Sequence, residues 1–131
     1  MSVSVFCLSM LRQVWPDRVL GLLAEALHRH HVQPALAVVF GTRAARLEIP
    51  AGVALPAFLQ SYIANWVTAA IRLVPLGQTD GQLAISELET AVLDASAQAK
   101  NASIEDLGSA ALMVDLASMA HETQYTRLFR S

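Results

Sequence analysis

Apolar residues in this chain return every three or four positions, and prolines and glycines fall between the runs. Val19, Leu20, Leu23 and Leu27 form one run, opened by Pro16 and Asp17 and closed by His28, His30 and His31. That spacing lines one face of a helix. Pro34 opens a second helix over 35–47, with Leu36, Val39, Phe40 and Leu47 on its apolar side, and Glu48-Ile49-Pro50-Ala51-Gly52 breaks it. Arg43 and Arg46, three apart, form one solvated edge of that helix. From Pro56 to Val74 the face is widest: Leu59, Tyr62, Ile63, Trp66, Val67, Ala70, Ile71 and Val74 keep helical spacing throughout.

After a break at Pro75-Leu76-Gly77, a fourth helix is predicted from about Thr79 to Lys100, with Leu83, Leu88, Val92 and Leu93 on its apolar side. Lys100 and Asn101 suit its carboxyl end. Ser103-Ile104-Glu105-Asp106 resembles a cap with acids in the first turn. A final helix is expected from about Ser109 to Gln124, with Leu112, Met113, Leu116 and Met119 facing inward. Ala37-Val38-Val39-Phe40 has the composition of a strand, but the frame around it is helical. The expected fold is therefore all-α: a compact bundle of five to seven helices in a single domain over 1–131, ending in a short carboxyl tail.

Composition sharpens this picture. Hydrophobic residues make up 54% of the chain and charged residues 15%. A chain this poor in charge leaves apolar surface uncovered, which implies a partner or an oligomer. The formal net charge of -2, with scattered cations, argues against nucleic acid. Gln60, Asn65, Thr68 and Arg72 interrupt the 56–74 run, so it is expected to be a buried bundle helix and not a membrane span. One cysteine, Cys7, excludes an internal disulfide and fits a reducing compartment. The first eleven residues lack the basic start of a signal peptide.

Candidate chemistry is thin. His28 and His31 lie close enough on a helix to share a metal, but no third ligand is near, and a polar helix end explains them. His121 beside Glu122 offers a base and its orienter without a recognisable nucleophile. Gly77-Gln78-Thr79-Asp80-Gly81 opens a helix but lacks the lysine and hydroxyl of a phosphate loop. It reads instead as a polar turn of Gln78, Asp80 and Gln82, with Arg72 upstream and Asp80 as the expected partner of Arg72. The last seven residues are different. Tyr125, Arg127, Leu128, Phe129 and Arg130 put apolar anchors and cations on a free end, a combination suited to folding on a partner.

Two segments resemble a known family. The run from Asn65 to Gln82 is similar to the central signature of the urease accessory protein UreF family, and the run from Asp106 to Ser131 is similar to that family's carboxyl end. Ala37-Val38-Val39-Phe40-Gly41 adds a weaker match. The resemblance implies an all-helical, cytoplasmic, non-enzymatic homodimer. It would bridge a UreD/UreH-type scaffold and the UreG GTPase so that nickel reaches apo-urease, with nickel handled by the complex. It also implies that Arg72, Gln78, Asp80 and Gln82 match the family's polar turn, structural or GTPase-facing, and that residues 125–131 match the tail that orders against the scaffold. Family members carry an amino-terminal helical region with a Pro-x-Gly segment, so this chain is expected to begin partway into the family's fold. The competing readings are a generic helical oligomerisation or adaptor domain, and an enzyme using His121 and Glu122.

Overall fold

The computed structural model describes residues 3–74, 76–108 and 112–122, with Asp115, Ser118, His121 and Glu122 described as backbone only. The helices are α1 (Val3–Val14), α2 (Arg18–Arg29), α3 (Leu36–Arg46), α4 (Ala51–Leu73), α5 (Gln78–Glu87), α6 (Glu89–Asn101) and α7 (Leu112–Glu122), with one 3-10 turn over Ile104–Asp106. No strand occurs among the described residues, and Ala37–Phe40 lies inside α3. The all-α expectation holds.

Asp17 builds the first corner. In extended conformation, its Oδ1 accepts hydrogen bonds from the Val19 and Leu20 amides at 2.7 and 3.3 Å, satisfying two donors that the start of α2 leaves open. Its Oδ2 accepts from Arg46 Nε at 2.9 Å. The Arg43 guanidinium lies 5.9 Å from the centre of the Trp15 ring. Arg43 and Arg46 are thus not merely a solvated edge: both tie the last turn of α3 to the α1–α2 corner. The Arg46 hydrogen bond, helped by the two backbone amides and opposed by partial burial, holds the Asp17 carboxyl below its ordinary 3.8. A depressed carboxyl contributes stability above its unfolded pKa and loses it as pH falls through the folded value. Between about pH 5 and pH 2, the urea midpoint of the native chain should therefore fall more steeply than that of Asp17→Asn. Parallel pH profiles would contradict this role for the carboxylate.

Both α2 and α3 end on a residue in left-handed conformation, His31 (φ 54°) and Glu48 (φ 56°). The Val32 amide then reaches the Leu27 carbonyl, and the Ile49 amide the Ala44 carbonyl, both at 3.0 Å. The histidine cluster is used here as a helix stop. The core of this half is Leu8, Leu20 and Val39, with Cys7, Leu11, Leu23, Ala24 and Leu27 packed around it.

The longest helix begins earlier than its sequence suggests. Pro50, not Pro56, precedes its first turn, and the Val53 and Ala54 amides both bond to the Pro50 carbonyl. Pro56 sits inside the helix, in its second turn. Nor is α4 a buried helix: none of its residues is buried, and Trp66 is 57% and Tyr62 47% exposed. Among the described residues, no helix is long and apolar enough to cross a membrane.

The predicted fourth helix is two helices. The chain bends at Leu88 between α5 and α6, and both pack on α4. Gly81 is buried where α5 meets α4; a Cβ there would lie 3.3 Å from Ile71 Cγ2 and 3.4 Å from Val67 Cγ1. Gly81→Ala should be nearly neutral, because the tight contact offsets the better helix propensity of alanine. Gly81→Val should cost about 1–3 kcal/mol by overpacking. Urea unfolding of both variants checks this, and equal stabilities would refute the close approach. On α6, Val92 is buried, and the buried Ser96 hydroxyl donates to the Val92 carbonyl at 2.6 Å.

The final helix also departs from expectation. Leu112, Met113, Leu116 and Met119, predicted to face inward, are each at least half exposed. The start predicted at 109 lies outside the described residues.

Candidate interaction site

The polar turn joins α4 to α5. Arg72 is exposed in the last turn of α4, Gln78 opens α5, and Asp80 lies two residues further on. Asp80 Oδ2 accepts from the Gly77 amide at 2.9 Å, so its carboxylate caps its own helix. The predicted Arg72–Asp80 pair does not form; the ion pair among the described residues is Arg46–Asp17. Because Arg72 reaches solvent from the helix end, its charge carries no burial penalty that a partner would need to offset.

Gln82 has a different place. With Gln60, Ser86 and Glu89 it lines a groove of about 470 Å³ between α4, α5 and α6, together with Pro56, Ala57, Ile85, Val92 and Leu93. The spacing pattern does not reveal this groove, because each helix contributes only three of its residues at ordinary helical spacing. A second surface follows α4. Phe40, Phe58, Tyr62 and Trp66 form a chain of rings with successive centroids 5.0, 6.5 and 5.4 Å apart. The first contact fastens α3 to α4, and the last ends on exposed Trp66. Four-residue steps on one helix bring such rings together.

The tail residues Tyr125, Arg127, Leu128, Phe129 and Arg130 lie outside the described residues, and so do the side chains of His121 and Glu122. His28, His30 and His31 are exposed, and among the described residues no three His, Cys, Asp or Glu side chains gather as a metal site. What the described surface offers is apolar helix faces with polar edges, the raw material of protein contacts.

A family model described as UreF matches residues 7–89, which include the whole polar turn. The chain belongs to the UreF family. It is 44% identical over 124 residues to the urease accessory protein UreF of Rhodopseudomonas palustris (strain BisB5), an alignment covering 95% of this chain and 50% of that protein. The corresponding protein of Bradyrhizobium diazoefficiens is 45% identical over 92% of this chain and 48% of its own length. That of Rhodopseudomonas palustris (strain BisA53) is 52% identical over 74% of this chain and 41% of its own length. The chain spans about half the length of the curated UreF relatives it matches. No solved structure matches it.

Proposed function

We propose that this UreF-family chain is a urease maturation factor that works by protein contact and not by catalysis. In this reading it bridges a UreD/UreH-type scaffold and the UreG GTPase in the cytoplasm, as a homodimer, so that nickel is delivered to apo-urease. Nickel is cargo of the complex, with no resident site in this chain. Tyr125, Arg127, Leu128, Phe129 and Arg130 grip the scaffold, while Arg72, Gln78, Asp80 and Gln82 form the polar turn presented to the GTPase or stiffening the α4–α5 corner. Membership of the UreF family, whose relatives bear the name urease accessory protein, carries the reading.

The surface supports it. Leu112, Met113, Leu116 and Met119 on α7 and Tyr62 and Trp66 on α4 leave apolar area that a partner would cover. Aromatic and arginine side chains are the residue types that dominate protein interfaces, and the tail is built from both. Co-purification of the full chain with a UreD-type scaffold tests the proposal directly. The two proteins are expected to elute together at micromolar concentration; separate elution would overturn it.

A further inference from the structure

We propose that the groove between α4, α5 and α6 docks a cationic, apolar-anchored segment of a partner protein. Its lining includes Ile85 and Leu93, and Leu93 remains 53% exposed, so apolar surface is available to an anchor side chain. Its one charged lining residue is Glu89, with Glu87 and Asp94 beside the lining residues Ser86 and Leu93. The cations of these helices, Arg72 on α4 and Lys100 on α6, are absent from its lining.

The charge of the whole molecule points the same way. Residues 3–50 carry Arg12, Arg18, Arg29, Arg43 and Arg46 against Asp17, Glu25 and Glu48, a positive excess of two. Residues 51–108 carry Arg72 and Lys100 against Asp80, Glu87, Glu89, Asp94, Glu105 and Asp106, a negative excess of four. A cationic partner is steered toward the second half and away from the first. Two other grooves have cations in their lining instead: Lys100 in the one between α3 and α4, and Arg12 in the one between α1 and α2. An acid and apolar side chains therefore coincide in the lining of the α4–α5–α6 groove. Nucleic acid is repelled there, and the open shape suits an extended side-chain row better than an enclosed small molecule. The proposal is independent of the tail, whose own partner is a separate matter.

The test uses the full chain and two short synthetic peptides, one of leucine and arginine and one of leucine and glutamate at the same positions, followed by fluorescence anisotropy. The leucine–arginine peptide should bind, more weakly at about 0.5 M salt, and the leucine–glutamate peptide should not. Glu89→Lys should weaken binding about tenfold, whereas Glu25→Lys, the same charge change on α2, should alter it less than about twofold. Circular dichroism confirms that both variants keep their helices. Equal losses in the two variants, or equal binding of the two peptides, would overturn the proposal. So would binding that appears only after residues 125–131 are removed, which would give the groove to the chain's own tail.

Discussion

Leu20→Ala should unfold the amino-terminal half of the chain at ordinary temperature. Leu20 is fully buried, with Leu8 and Val39 as its buried neighbours across α1 and α3. Removing a buried leucine side chain costs about 2–5 kcal/mol, depending on how far the site can collapse. A typical domain has about 5–15 kcal/mol in all. Only five hydrophobic residues are buried among the described ones, so this chain has little in reserve. Ala24 and Leu23 are small or mobile enough to fill part of the space, but the α2 backbone is pinned by the Asp17 cap and cannot move far toward α3. Urea unfolding followed by circular dichroism should show most of the cooperative transition lost. A change below about 1 kcal/mol would mean that Leu20 is not central to the core.

Arg127→Ala with Arg130→Ala should weaken binding to a UreD-type scaffold by a hundredfold or more. Arginines at the centre of an interface cost about 2 kcal/mol or more each when truncated, and about 1.4 kcal/mol is a tenfold change in affinity. Arg127→Lys with Arg130→Lys separates two causes. If charge alone matters, the lysine pair restores most of the affinity; if forked hydrogen bonding or stacking matters, it restores little. Titration of the scaffold with each full-length variant gives the dissociation constants. Unchanged affinity in the alanine pair would remove the tail from the interface.

Helix positions were legible where apolar spacing and breakers agreed, as in α2 and α3. Their ends agreed as well, at the histidine cluster and before the Glu48–Gly52 break, although His31 and Glu48 adopt a conformation usually flagged by glycine. Pro56 read as a beginning because proline favours first turns; the real start, at Pro50, was masked by Gly52 beside it. The bend at Leu88 has no proline or glycine of its own. It accompanies the packing of both α5 and α6 on α4, with Gly81 against Val67 and Ile71, which is a tertiary effect.

Burial was overread on α4 and α7 for one reason. Periodicity locates an apolar face but does not say that another helix of the same chain covers it. At the polar turn, the partner expected for Asp80 is not the one it takes. Asp80 finds the Gly77 amide three residues away, a local bond with little entropy cost, before it can find a long arginine side chain. The family was legible from the order of residues between Asn65 and Gln82, while the groove beside them needed three helices to be seen together.

Deleting Thr126–Ser131 and measuring complex formation with a UreD-type scaffold by size-exclusion chromatography with light scattering is the most direct trial. If the carboxyl end is the grip, the shortened chain should elute apart from the scaffold while the full chain co-elutes. Co-elution of the shortened chain at the same concentration and stoichiometry would contradict it.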